Sequence, residues 1–99
     1  MIIYHIVLPE IWEKFNDSNS YEAESLSSEG FIHCSFAEQI APVLGRYYSD
    51  AKRVLILQID SEKLSAELIC EPSTNNEIYP HIYGRINKDA VVEIEARDL

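Results

Sequence analysis

Three histidines lie in three short apolar segments of this 99-residue chain, and each has Gly, Pro, Ser or Tyr close beside it. They are His5 in Tyr4-His5-Ile6, His33 in Gly30-Phe31-Ile32-His33-Cys34-Ser35, and His81 in Pro80-His81-Ile82-Tyr83-Gly84. Each ring needs a hydrogen bond or a charge partner, because burying an unpaired polar group costs roughly 1–3 kcal/mol. We predict that the three rings converge on one polar cleft. The alternative is that each ring bonds a backbone carbonyl and holds a strand end.

The segment around His33 ends in a serine that could have two roles. Ser35 and Glu38 have the spacing of a capping box, which predicts that the serine hydroxyl caps the helix that follows. A strand-to-helix junction with free amides can also bind an anion. We therefore expect Ser35 to act as a cap, and we keep it as a candidate ligand contact as well.

Three residues near His81 could extend the same site. Glu71 precedes Pro72 at a predicted strand end, where a carboxylate can belong to a site or remain a solvated edge charge. Tyr83 shares a strand face with His81 and could stack on a planar ligand or simply pack. Gly84 would allow close approach of a ligand or of a neighbouring strand.

Metal binding is not expected from these residues. Two or three histidines with a carboxylate could bind zinc, but their spacing matches no metal motif. Cys34 and Cys70 form no Cys-x-x-Cys pair and lie in apolar runs, which is typical of two reduced, buried thiols in a cytoplasmic protein.

The composition limits the domain count and the class of partner. Ninety-nine residues with 46% hydrophobic content fit one domain, residues 1–99. The net charge of −9 and eight scattered basic residues argue against docking on extended nucleic acid, although one phosphate or dinucleotide needs only one or two cations. No apolar run approaches the ~20 residues that span a bilayer, so no membrane is expected. The oligomeric state stays open.

The hydrophobic pattern predicts an α+β fold with about six strands and two main helices. Strands are expected over 2–8, 31–34, 53–60, 67–71, 81–86 and 90–96, and helices over 9–15 and 36–49. Residues 53–60 are apolar on both faces, as in a central strand. Residues 16–29 are rich in serine and are expected to form an irregular loop. The strands should form a curved or split mixed sheet that the helices cover on one side.

Two further expectations concern single residues. Pro42 lies inside the helical pattern of 36–49 and should kink that helix or break its first turn. In the last strand, alternation predicts that Val92 and Ile94 face the core while Glu93 and Glu95 face solvent.

A set of short motifs spread over nearly the whole chain resembles the pattern of one bacterial family. These motifs are Tyr4-His5-Ile6, Ser25-Leu26, the run from Glu29 to Ser35, Gln39, the strand 54–60, Glu71, and Pro80-His81-Ile82-Tyr83-Gly84. The family is domain-of-unknown-function family nine-five-two, which has no settled activity. It is grouped with the ADP-ribosyltransferase-like fold, a two-lobed, split β-sheet scaffold that binds NAD in toxins and in RNA 2′-phosphotransferases.

The resemblance implies roles for the residues singled out above. His5 would contact the NAD ribose, Glu71 would orient the nucleophile or the ribose, and Tyr83 or Tyr21 would stack on nicotinamide. The candidate catalytic residues are therefore Glu71, His33 and His81, and the candidate cofactor-binding residues are His5, Ser35, Tyr83 and Gly84.

The leading hypothesis is a domain that binds a nucleotide or an NAD-like ligand in a histidine-rich cleft. Its reaction class, if it is an enzyme, would be ADP-ribosyl or phosphoryl transfer. The first alternative is a non-catalytic module that binds a small ligand in the same cleft. The second is an acidic interaction protein whose histidines are structural.

Overall fold

Eight strands in three antiparallel sheets form most of the computed structural model, which describes residues 1–99. The strands are β1 (Ile2–Val7), β2 (Ser20–Tyr21), β3 (Ile32–His33), β4 (Arg53–Asp60), β5 (Glu67–Pro72), β6 (Ile78–Tyr83), β7 (Ile86–Asn87) and β8 (Val91–Asp98). The helices are α1 (Pro9–Glu13), α2 (Glu24–Glu29) and α3 (Ile40–Tyr47), with four single-turn 3₁₀ helices between elements. The α+β class is confirmed, but the chain has eight strands rather than about six, and they form three antiparallel sheets rather than a mixed sheet. It also has three α-helices rather than two.

The first sheet has the order β1-β4-β8, so β4 is central as its two apolar faces predict. One face of this sheet carries Ile3, Leu57 and Ile59, which pack in a core of ten buried residues. This core is shared with the sheet of order β3-β6-β5, through Ile32 and Ile82. This sheet of β3, β6 and β5, called the second sheet below, therefore lies against the face of β1 from which the His5 side chain projects.

The opposite face of the first sheet is covered by α3. Ile6, Val54 and Ile56 form a smaller core cluster with Ile40, and partly buried residues of α3 such as Leu44 pack against it. The sheet is therefore enclosed on both sides along β1 and β4. No helix in the structure is long and apolar enough to cross a membrane.

The serine-rich stretch 16–29 is more regular than predicted. It contains strand β2 and helix α2, and the Tyr21 side chain is 2% exposed and packs in the core. Helix α2 ends at Gly30, whose φ of 91° is the left-handed conformation that glycine adopts at little cost. The Glu29-Gly30 step is therefore a helix stop that sequence analysis overlooked.

The helix after β3 begins later than predicted, and Ser35 does not cap it. A single 3₁₀ turn occupies 37–39, and α3 starts only at Ile40. The side-chain oxygen of Gln39, and not the Ser35 hydroxyl, accepts the Phe36 N–H at 2.9 Å. The late start places Pro42 in the first turn of α3, where its missing N–H leaves no intrahelical bond unmade.

The predicted inward orientation of β8 is wrong. Val92 and Ile94 are 47% and 46% exposed, and the neighbouring glutamates Glu93 and Glu95 are exposed too. Strand β8 is the edge of its sheet, and both core clusters are centred on β1 and β4 instead. Alternation predicts which residues share a face, but it does not predict whether another layer covers that face.

Candidate functional site

Strands β1 and β3 meet at one point and then separate. Tyr4 and Ser35 exchange two backbone hydrogen bonds, of 2.9 and 2.7 Å, in an isolated antiparallel bridge. No further bridge joins the two strands. In a continuous ladder the next hydrogen-bonded pair would be Ile6 with His33, two residues along each strand. The sheets therefore split at this position.

Side chains replace the missing ladder on both strands. The His5 ring donates from Nδ1 to the His33 carbonyl at 2.7 Å, and the Tyr48 hydroxyl donates to the Ile6 carbonyl at 3.3 Å. One step further along β3, the Ser25 hydroxyl donates to the Phe31 carbonyl at 2.8 Å. These bonds satisfy carbonyls that strand separation would leave unpaired, and they stabilise the split.

Two backbone donors at the split have no such partner. Along a strand, alternate residues direct their N–H groups to the same side, so the N–H of Ile6 points as that of Tyr4 does, toward β3. By the same alternation the N–H of His33 points as that of Ser35 does, toward β1. No hydrogen bond from either N–H crosses the split. The split therefore presents two donors to whatever occupies it.

A cavity of about 640 Å³ opens at this split. Strands β1 and β3 contribute its floor, through His5 to Leu8 and His33 to Ser35, and α2 contributes Glu24, Ser25 and Glu29. Ile11, Tyr21 and Ala23 also line it, and the remaining wall comes from α3 and the β5–β6 hairpin, through Val43, Arg46, Tyr47, Tyr48, Ser73, Thr74 and Tyr79. The volume lies in the range of small-molecule sites, and the lining mixes apolar and polar groups as such sites do.

His5 is locked inside the protein on both ring nitrogens. Because a carbonyl only accepts, Nδ1 carries the proton toward His33, and Nε2 then accepts the Tyr21 hydroxyl at 2.9 Å. The ring is 6% exposed, and burial lowers the pKa of His5 to about 4. His5 is therefore a neutral prop at the split and has no ring nitrogen free for a ligand.

His81, Glu71 and Tyr83 form a separate cluster outside the cavity. The Glu71 carboxylate accepts from His81 Nδ1 at 2.7 Å and also from the Tyr83 hydroxyl. Two hydrogen bonds lower the pKa of Glu71, and the one from Tyr83 has a larger effect than the one from His81. The ring of Phe31 stacks on His81 with centroids 4.2 Å apart, and His81 is 2% exposed. Its Nε2 has no hydrogen-bond partner.

His33 connects the cavity to this cluster. His33 lines the cavity, its Nε2 donates to the Glu29 carboxylate at 2.9 Å, and its ring lies edge-on to the His81 ring with centroids 5.2 Å apart. The three histidines are thus linked, but only His5 and His33 line the cavity. His81, the cross-strand neighbour of His33 on β6, does not line it. Ser35 lines the cavity as well, and its hydroxyl makes no bond within the chain.

Gly84 is needed by a neighbouring strand and lies outside the cavity. A Cβ placed on Gly84 would lie 2.7 Å from the Cβ of Ala66, a distance at which one backbone must shift. The sequence allowed either a ligand or a strand as the close neighbour, and the neighbour in the structure is the chain itself.

Substituting Gly84→Ala should therefore lower the free energy of unfolding by roughly 1–3 kcal/mol, because overpacking forces such shifts. The double variant Gly84→Ala with Ala66→Gly should regain a large part of the loss, since it moves the methyl group across the contact. Urea unfolding of both variants measures this. Equal losses in the single and double variants would contradict the packing explanation.

The two cysteines differ in exposure. Cys34 is 3% exposed, and burial raises the pKa of its thiol, whereas Cys70 is exposed and so departs from the predicted buried state. No group of three or more His, Cys, Asp or Glu side chains is arranged to hold a metal ion. The expectation of a metal-free protein stays a prediction for elemental analysis.

Sequence analysis missed the residues of α3 and the hairpin that line the cavity. Arg46 and Tyr47 lie at the end of α3, and Thr74 lies in the single 3₁₀ turn between β5 and β6. Their sequence neighbourhoods carry no motif. The one signal in the sequence is that Arg46 is the only lysine or arginine between residues 15 and 51.

The comparisons with known proteins identify the family. A model of the family described as "Protein of unknown function (DUF952)" matches residues 6–94. The chain belongs to the DUF952 family. The predicted resemblance to this family is thereby confirmed, while its grouping with the ADP-ribosyltransferase-like fold stays a prediction. No curated protein matches the chain.

Solved structures show that this DUF952 fold has been observed in another protein. A crystal structure of CC0527 from Caulobacter crescentus is 24% identical, with a TM-score of 0.90 over 100% of this chain and 88% of that chain. The solution NMR structure of CC0527 is 24% identical, with a TM-score of 0.84 over 99% and 85%. At this identity the likeness shows the fold alone.

Proposed function

We propose that this DUF952 protein binds a nucleotide or NAD-like ligand in the cavity at the split between β1 and β3. The observation that carries the proposal is the pair of backbone N–H groups, of Ile6 and His33, that face the split without an acceptor. Both residues line the cavity, so a ligand that supplies acceptor oxygens there gains hydrogen bonds to these two N–H groups. Amide, ribose and phosphate oxygens of a nucleotide are such acceptors.

The architecture supports the same proposal. A split sheet with a ligand cleft is the feature that the ADP-ribosyltransferase-like grouping implies, and here the split lies beside His5 on the first strand. In this chain His5 would act by holding the split open, because both its ring nitrogens are engaged. Apolar residues of the lining, such as Ile11 and Val43, would contact the planar base or ring.

Group-transfer chemistry needs a carboxylate that reaches the ligand. Glu71 does not line the cavity and is held by His81 and Tyr83, whereas Glu29 lines it and bonds His33. In an ADP-ribosyl transfer the nucleophile would lose its proton and bond ribose C1′, while nicotinamide leaves with the electrons of the C–N bond. Glu29 with His33 is the pair placed to accept that proton.

A non-catalytic binding module is the second candidate. It is favoured because two of the three residues expected to be catalytic, Glu71 and His81, bond each other outside the cavity. Release of nicotinamide from NAD separates the two candidates, since a binder would leave NAD intact.

The test of binding is thermal unfolding with NAD, ADP-ribose, AMP and nicotinamide. A ligand present at 100 times its Kd should add roughly 2.7 kcal/mol of stability. The variant Ser35→Leu places apolar bulk in the cavity and should abolish the gain, whereas Ser28→Leu on the exposed surface of α2 should retain it. No gain with any of the four compounds, or an equal gain in both variants, would overturn the proposal.

A further inference from the structure

Arg46 is the only lysine or arginine that lines the cavity, in a protein whose net charge is −9. The Arg46 guanidinium donates to the Tyr79 hydroxyl at 3.4 Å and lies 5.8 Å from the Tyr47 ring centroid. Tyr79 is 5% exposed and anchors this end of the guanidinium. A guanidinium has five donors, so those not used by Tyr79 remain available to an anion.

Hydroxyl groups surround the same end of the cavity. Ser73 and Thr74 line it from the β5–β6 hairpin, and the Tyr47 hydroxyl lies 3.1 Å from Thr74 Oγ1. Neither Ser73 nor Thr74 is fully buried, so a ligand can reach them. Serine and threonine hydroxyls with one arginine are a donor set that phosphate oxygens accept well.

The hairpin that carries these hydroxyls is held in place by its own bonds. The Ser73 N–H donates to the Glu77 carbonyl at 2.9 Å, which closes the turn. The Gln39 amide then donates to both the Glu77 carboxylate and the Ile78 carbonyl, each at 2.8 Å. The hairpin is thus tied to the start of α3, and its hydroxyls need little reordering when a ligand binds.

The charged residues of the lining come from different walls of the cavity. The carboxylates of the lining, Glu24 and Glu29, both come from α2, while Arg46 comes from α3. An anion is repelled near the former and attracted near the latter. A ligand with an anionic end therefore binds in one orientation.

We infer that Arg46, with the hydroxyls of Ser73 and Thr74, is the phosphate subsite of the cavity. Its ligand class is a nucleotide with a diphosphate group, whose phosphates lie at Arg46 and whose remaining part extends toward the amides of Ile6 and His33. This inference rests on the proposed function and specifies which end of the ligand binds where.

The test compares ADP-ribose, adenosine and inorganic pyrophosphate by isothermal titration calorimetry. Arg46→Gln should weaken ADP-ribose and pyrophosphate about 10–100-fold, as loss of a charge-assisted contact does, and should change adenosine affinity less than about twofold. Arg97→Gln is the matched control, because this substitution removes the same charge at a residue that is bonded to Glu95 on β8 and does not line the cavity. Arg46→Lys should recover part of the affinity.

Four outcomes would overturn the inference in distinguishable ways. If the unaltered protein binds ADP-ribose and Arg46→Gln binds it equally, the subsite is wrong while the proposed function stands. If Arg46→Gln weakens adenosine as much as ADP-ribose, Arg46 supports the cavity and does not hold phosphate. If the unaltered protein binds adenosine but neither ADP-ribose nor pyrophosphate, the subsite fails while the proposed function stands. If it binds none of these three and none of NAD, AMP and nicotinamide, both fail.

Discussion

Replacing His5 with alanine should lower the free energy of unfolding by roughly 2–4 kcal/mol. The substitution leaves the His33 carbonyl without a donor, the Tyr21 hydroxyl without an acceptor, and a void where a ring that is 6% exposed had packed. A residue that only contacted ligand in a solvated cleft would cost far less. Urea unfolding measured by circular dichroism gives the difference.

His33→Ala is the matched control for this prediction. The His33 side chain is 47% exposed, and its ion pair with Glu29 is exposed as well, so its loss should cost less than about 1 kcal/mol. Equal losses in the two variants, or a loss below about 1 kcal/mol for His5→Ala, would show that His5 does not hold the split.

The stability of the protein should fall as the pH is lowered from about 6.5 to 4 because of His5. In the folded protein burial lowers the pKa of His5 to about 4, whereas an unfolded histidine has a pKa near 6.5. Between these values the unfolded chain binds a proton that the folded protein does not, so acid favours unfolding. The contribution present above pH 6.5 and lost by pH 4 is about 3 kcal/mol.

The variant His5→Asn isolates this contribution from the carboxylates and the other histidines. Asparagine can still donate to the His33 carbonyl but does not titrate. The stability advantage of the unaltered protein over His5→Asn should therefore shrink by about 3 kcal/mol between pH 7 and pH 4. An advantage that stays constant or grows over this range would mean that His5 is not buried in its neutral form.

The sequence predicts the alternation of residues along strands but not the layers that cover them. Alternation along β1 places Ile3 and Val7 on the same face as His5, and both are buried in one core. The same rule placed Val92 and Ile94 inward, where they are exposed, because β8 is an edge strand. Whether a second layer packs against a given face of a strand depends on contacts between residues far apart in the chain. A single sequence does not specify those contacts.

The candidate site shows the same limit. His33 and Ser35 were expected in the cleft and line it, because a short strand beside a split brings both there. Glu71 was expected there too, yet it does not line the cavity, and its carboxylate is bonded to His81. Arg46 was missed because, in the sequence, a single arginine at the end of a helix looks like any solvated surface charge. Only the structure shows that the β5–β6 hairpin lies beside it.

The split itself was predicted as a class of architecture, while its cause was not. The bond between His5 and the His33 carbonyl joins residues 28 positions apart, and that between Tyr48 and Ile6 joins residues 42 apart. Such bonds depend on how the sheets are arranged, and no local spacing predicts them. The unpartnered amides of Ile6 and His33 result from the same arrangement, and the sequence did not predict them.

The most direct test of ligand binding at the split is a two-dimensional ¹H–¹⁵N NMR titration with ADP-ribose and NAD. A ligand oxygen that accepts from the Ile6 and His33 amides changes their shielding at once, whereas amides that point from β1 to β4, such as that of Val7, are already bonded. We expect the Ile6 and His33 resonances to move most, together with those of Ser73 and Thr74. Saturating ligand that leaves the Ile6 and His33 resonances in place, or moves only resonances outside the cavity, would contradict the proposed site.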